Sequence, residues 1–232
     1  MLRLYLGEKP FVLSPSTSSE QVLSKHEHHF FSALLKKEHT MPPRKQPVET
    51  QIYQLKITLK DSKPPIWRRV QVPSDVSLGK LHRIIQEAMG WFDSHLHQFE
   101  IGETYYGVPS RDDFGDSYEV KNEKTVKLNQ LISRPKAKLL YQYDFGDSWE
   151  HEILLEKILP PEPGVQYPVC ITGKRACPPE DCGGVWGYDS FVEAIQNPNH
   201  PEHDEMLEWV GGSFDPEVFD LDAVNRALRR VK

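Results

Sequence analysis

The strongest constraint in this sequence is a change of hydrophobic period between residues 53 and 90. Tyr53, Leu55, Ile57 and Leu59 alternate with Gln54, Lys56 and Thr58, the period-two pattern of a strand with one buried face. Residues 61–65 (Asp-Ser-Lys-Pro-Pro) are turn formers, and residues 66–72 supply a second strand. Pro73 closes that strand because it has no N–H for the ladder. The period then becomes helical. Leu78, Leu81, Ile84, Ile85, Ala88 and Met89 share one face, Ser77 precedes them as an N-cap, and Gly90 follows at the position where helices end left-handed. A hairpin with one apolar face, followed by a helix able to cover it, begins an α+β fold.

The rest of the chain extends the same pattern. His95, His97, Phe99 and Ile101 alternate with Leu96, Gln98 and Glu100 as a strand, and residues 104–108 supply its neighbour. Residues 126–132 form a short helix or turn. Residues 138–143 and 149–158 are two strands joined by Asp-Phe-Gly-Asp-Ser. The proline- and glycine-rich stretch from Pro160 to Gly187 is expected to be loop. Three helices should follow. The first opens on a capping box of Ser190 and Glu193. The second has Pro201 in its first turn, carries Met206, Leu207 and Val210, and ends at Gly211. The third, near 222–231, buries Val224, Ala227, Leu228 and Val231 and sets Arg229 and Arg230 at the negative end of its dipole. The expected architecture is a single α+β domain over 49–232, with a mostly antiparallel sheet, one helix after the first hairpin and a C-terminal group of helices. Residues 1–48, with their small polar and proline-rich runs, are expected to be a disordered or dispensable extension, with Met41 as an alternative start.

Charge and cysteine usage narrow the function classes. With 28 basic and 34 acidic residues the net charge is −6, which argues against broad nucleic-acid binding, since that wants a basic surface. No uncharged apolar run approaches the roughly 18 residues of a membrane helix. The first residues carry charge inside their apolar stretch and lack a small-residue cleavage site, so they do not read as a secretory signal. Three cysteines leave one unpaired under any disulfide scheme, which favours a reducing, cytoplasmic setting.

Three kinds of chemistry have candidate residues. The first is a metal. His95 and His97 fall on one face of the expected strand, and Cys170, Cys177 and Cys182 lie in the loop-rich segment. Imidazole and thiolate suit zinc, which makes His95, His97, Cys177 and Cys182 a possible ligand set. The same residues serve equally as hydrogen-bonded core histidines and small buried thiols. The second is carboxylate chemistry. Asp144 and Asp147 flank a glycine, His151 follows, and Glu180 with Asp181 sits in Pro-Pro-Glu-Asp-Cys-Gly-Gly. Such a set can hold Mg²⁺ or supply a general base for hydrolysis. Residues 113–119 match 144–150 at six of seven positions, so Asp113 and Asp116 repeat the arrangement, and turn aspartates that bond their own backbone explain the repeat as well. The third is recognition by Trp67, Trp149, Trp186, Tyr105, Tyr106 and Tyr188, with Arg68 and Arg69 as phosphate contacts on opposite faces. For Trp67 and Trp149 the competing role is core filling.

Several long motifs occur in one order: Pro-Pro-Ile-Trp-Arg-Arg-Val (64–70), Leu-His-Arg-Ile-Ile-Gln-Glu-Ala-Met-Gly-Trp (81–91), His-Leu-His-Gln-Phe (95–99), Tyr-Asp-Phe-Gly-Asp-Ser-Trp-Glu-His (143–151), Ala-Cys-Pro-Pro-Glu-Asp-Cys-Gly-Gly (176–184), Gly-Tyr (187–188) and Asp-Pro-Glu-Val-Phe-Asp-Leu (215–221). Together they resemble the plasmid pRi Orf-three-like family, some of whose members bear the description TnpR-type passenger protein of a transposable element. The resemblance spans about residues 50–232 and implies a single α+β domain. It implies no recombinase: the chain has neither a serine-recombinase catalytic segment nor the Arg, His and Tyr set of a tyrosine recombinase. A kinase reading of Asp-Phe-Gly also fails, because no glycine-rich loop, strand lysine or His-Arg-Asp loop accompanies it. Two classes remain: a non-catalytic binding or accessory module, and a metal-dependent hydrolase working at the His/Asp/Cys motifs.

Overall fold

The computed structural model describes residues 50–109 and 119–231. The N-terminal extension and the first Asp-Phe-Gly-Asp copy at 113–116 therefore lie outside the described residues. Eight strands form one sheet: β1 (Ile52–Leu59), β2 (Trp67–Pro73), β3 (His97–Ile101), β4 (Thr104–Gly107), β5 (Val120–Asn122), β6 (Lys138–Tyr143), β7 (Trp149–Leu159) and β8 (Val169–Lys174). Their order is β5-β4-β3-β6-β7-β1-β2-β8. Every pair is antiparallel except β4–β5, which is parallel. Five helices accompany the sheet among the described residues: α1 (Leu78–Met89), α2 (Leu128–Leu131), α3 (Gly184–Gln196), α4 (His203–Trp209) and α5 (Leu221–Leu228). The α+β reading holds.

The first hairpin and helix form for the reasons the sequence gives. Tyr53, Leu55, Ile57 and Leu59 are buried, as are Leu78, Leu81, Ile84, Ile85, Ala88 and Met89 of α1, so the two apolar faces share one core. Ser77 accepts a hydrogen bond from the Lys80 N–H, and Gly90 adopts φ 101° while its N–H donates to the Gln86 carbonyl. α5 packs against both α1 and β8, and α3 packs against α4.

Four expectations need correction. The segment from 160 to 187 contains β8, a strand whose partner β2 lies about a hundred residues earlier, so no local pattern announces it. The strand expected from His95 starts at His97. α3 begins at Gly184, and the Ser190 hydroxyl bonds the Trp186 carbonyl one turn back instead of capping a helix start. Arg68 is buried, with its guanidinium on the carbonyls of Ala88, Trp67 and Lys174 and on the ring of Phe219, while Arg69 pairs with Glu156. Trp149 is fully buried, whereas Trp67 is half-buried beneath Lys56 and Arg69.

Candidate functional site

After Gly90 the chain leaves α1 and crosses the end of the sheet as residues 91–96, and the site is built around this crossing. Trp91 is buried, stacks on Tyr143 at 5.0 Å, meets His151 edge-on at 5.3 Å and donates its indole N–H to the Pro178 carbonyl. Glu180 Oε1 accepts the Phe92 N–H at 2.9 Å and the Tyr143 hydroxyl at 2.6 Å, while the Ser94 N–H donates to the same hydroxyl. Three segments distant in sequence are thereby joined. Burial first, and the Glu180 carboxylate second, hold the Tyr143 phenol well above its ordinary pKa.

The second wall is the hairpin loop between β6 and β7. Asp144 adopts φ 55° and its Oδ1 accepts the Gly146 N–H, while Asp147 Oδ2 accepts the Gly183 N–H at 3.1 Å. The following backbone passes so close that a Cβ on Gly184 would lie 2.4 Å from the Asp147 carbonyl oxygen, and one on Gly187 would lie 1.9 Å from that of Cys182. Only glycine fits at either place. Here an outer cluster forms: His95 Nδ1 lies 3.7 Å from Asp144 Oδ2, and His95 Nε2 lies 3.1 Å from Asp181 Oδ1. The second contact is near enough for electrostatic attraction but out of line for a hydrogen bond, so the buried Nε2 has no hydrogen-bond partner.

An inner cluster lies beneath. His97 stacks face to face on His82 with centroids 3.4 Å apart and planes 3° off parallel. His97 Nε2 is 2.8 Å from Glu123 Oε2, His82 Nε2 is 2.7 Å from Asp93 Oδ1, and His82 Nδ1 is 2.8 Å from the Tyr141 hydroxyl. Gln86 fixes the arrangement by accepting the Asp93 N–H and donating to the Tyr141 hydroxyl. Burial lowers the His82 pKa, with the neighbouring His97 a second cause.

The nominated residues thus divide. His95, Asp144 and Asp181 come together with donor atoms within 4.8 Å of one another. Asp147 and Glu180 bind backbone that joins the walls. His97 belongs to the inner cluster, so the two histidines of His-Leu-His do not share a site. Among the described residues no cysteine joins either group of potential ligands. All three thiols are free, with Cys182 pushed up to about 12 by burial and by Asp147, and Cys177 pushed higher by burial. His151 is fully enclosed, donates its Nδ1–H to the Trp149 carbonyl and has its pKa pushed down to about 4 by burial, which leaves it neutral and sealed from solvent near pH 7. Sequence reasoning missed His82, Asp93 and Glu123. For His82 a signal existed: with Gln86 it is a polar residue on the otherwise apolar face of α1.

Three contiguous clefts run along the outside. The first, of about 520 Å³, is lined by Arg83, Gln86, Asp93, Phe92 and Arg230 among others. The second, of about 540 Å³, shares Gly90, Trp91 and Phe92 with it and continues to Glu180, Asp181, Trp209 and Phe214. The third, of about 350 Å³, shares Asp181 and Trp209 and adds Phe191, Glu202 and Met206.

Residues 51–223 match the model of a family described as plasmid pRiA4b ORF-3-like protein. The chain is 38% identical over 179 residues to the uncharacterized protein y4hQ of Sinorhizobium fredii, covering 76% of this chain and 90% of that protein. It is also similar, at 40% identity and a TM-score of 0.68, to the crystal structure of MM3350, a protein of unknown function from Methanosarcina mazei Go1, over 75% of this chain and 96% of that one.

Proposed function

We propose a function from the premise that the chain belongs to the plasmid pRiA4b ORF-3-like family: it is a non-catalytic binding module whose groove takes a peptide segment bearing apolar side chains and a basic group. The observation that carries this reading is the lining of the second and third clefts. Met89, Trp91, Phe92, Phe191, Met206, Trp209, Val210 and Phe214 supply the apolar surface. The charged residues beside them, Glu180, Asp181 and Glu202, are all carboxylates. Such a groove suits an apolar side chain followed by lysine or arginine. Glu180 and Asp147, nominated above for catalysis, are engaged in holding backbone, which fits a rigid recognition surface. A cytoplasmic setting accords with the free thiols. Service as an accessory protein of a mobile element rests on the family resemblance.

The test is titration of short basic–apolar peptides, and of acidic counterparts with the same apolar residues, against the full chain by tryptophan fluorescence and calorimetry. Basic peptides are expected to bind, more weakly as salt rises, and Asp181→Asn and Trp209→Ala to weaken them about tenfold. Equal binding of the acidic peptides, or indifference to both substitutions, would reject the reading.

A second reading, a metal-dependent hydrolase, is favoured by the gathering of His95, Asp144 and Asp181. It requires metal-dependent hydrolysis of an ester or amide probe that Asp144→Asn abolishes.

A further inference from the structure

The inner cluster has a composition that its structural duties do not explain. Glu123 is 3% exposed, and a carboxylate withdrawn from water needs a compensating positive charge. Among the described residues no lysine or arginine pairs with it or with Asp93; the partners they have are the imidazoles of His97 and His82. Two imidazoles and two carboxylates, drawn from α1, the crossing after it, β3 and the turn after β5, converge at one place.

We propose that His82, Asp93, His97 and Glu123 form a binding site for one divalent first-row transition ion of the zinc class. The donor atoms of His82, Asp93 and His97 already lie within 4.8 Å of one another, close to the spread of about 3.4–4.2 Å that ligands adopt around an ion with bonds near 2.1 Å. Glu123 Oε2 sits 2.8 Å from His97 Nε2 and stands next in line as a fourth donor. Mixed imidazole and carboxylate ligation suits zinc, manganese or iron(II) and is too nitrogen-rich for calcium. The surrounding hydrogen bonds match a ligand role. The amide of Gln86 is oriented by the Asp93 N–H and donates to the Tyr141 hydroxyl, which lies 2.8 Å from His82 Nδ1. With an ion bound, Nδ1 carries the proton and donates to that hydroxyl, and the Nε2 lone pair faces the ion. The face-to-face stack must open slightly, since imidazole lone pairs lie in the ring planes. Access is from the first cleft, because the Asp93 side chain is 51% exposed and lines it. The site is independent of the peptide groove, and its test uses no peptide.

The full chain, purified without affinity-tag metal, would be stripped with chelator and titrated with zinc by calorimetry and with cobalt(II) by visible absorption. One equivalent should bind, and cobalt(II) should give the spectrum of a low-coordinate nitrogen–oxygen site that zinc abolishes. Asp93→Asn, at an accessible position, should weaken binding by about tenfold or more, and Glu123→Gln should act likewise. Asp181→Asn and Cys182→Ser should leave binding unchanged. Circular dichroism establishes that each variant folds, and Asp93→Asn decides the matter if Glu123→Gln does not. Absence of stoichiometric binding, undiminished binding in Asp93→Asn, or loss in Asp181→Asn with retention in Asp93→Asn would each overturn the proposal.

Discussion

The inner and outer clusters are joined by the same crossing of chain, yet they live under different physics. His95 and its two aspartates are loosely spaced, at 3.1 and 3.7 Å with no hydrogen bond between them, and only Asp181 of the three is exposed and lines the groove. His97, His82 and Glu123 are buried, and hydrogen-bond contacts of 2.7–2.9 Å tie His82 to Tyr141 and Asp93, Gln86 to Tyr141, and His97 to Glu123. Trp91 anchors the crossing between them, stacking on Tyr143, meeting His151 edge-on and donating to the Pro178 carbonyl. The difference teaches that proximity in sequence assigns neither environment nor role. A single residue separates a half-buried histidine with an unpartnered Nε2 from one hydrogen-bonded in a buried network.

The sharpest way to break this arrangement is to remove the anchor of the crossing. Trp91→Ala deletes a buried indole and its bond to Pro178, and should lower stability by about 3–5 kcal/mol, read by urea unfolding. A loss below about 1 kcal/mol would show that the crossing holds without it. Next is acid. The folded-state pKa of His151 is about 4 against an ordinary 6.5, so between those values the unfolded chain binds more protons. Its contribution is fully present above pH 6.5 and is lost as pH falls toward 4, an effect on the order of 3 kcal/mol. Denaturant midpoints across that range should fall for the wild type and flatten in His151→Leu; an unchanged slope would remove His151 as the cause. Tyr141→Phe strips the hydroxyl shared by Gln86 and His82 and should cost about 1–3 kcal/mol, visible in thermal melts. The smallest stability effect is expected outside. Phe92 is 83% exposed, so Phe92→Ala should change stability by less than about 0.5 kcal/mol while weakening peptide binding in the same fluorescence titration. A large stability loss would mean that the rim is core.

Local chemistry made much of the fold readable. β1, β2 and α1 are written in periodicity and caps, and the hairpin of β6 and β7 is written in its Asp-Phe-Gly-Asp-Ser turn. The start of α3 was not readable, because a glycine-rich Gly-Gly-Val-Trp-Gly segment has weak helical preference and is set in place by Asp147 receiving the Gly183 N–H. β8 was hidden for a related reason: its ladder partner is far away in the chain.

The sequence by itself determined the class of fold, the buried face of the first hairpin and its covering helix, and the family. It also named His95, Asp144, Asp147, Glu180 and Asp181 as residues of interest, because turn and motif chemistry is local. Only the tertiary structure decided how the histidines divide. Strand alternation places His95 and His97 on one face only if the strand runs through both. The chain instead bends at Asp93, with φ 58°, and becomes strand at His97. One imidazole is thereby delivered to carboxylates at 144 and 181, and the other to His82 and Glu123. Those partners come from segments that meet only when the sheet is assembled, and a contact across such distances leaves no period in the sequence.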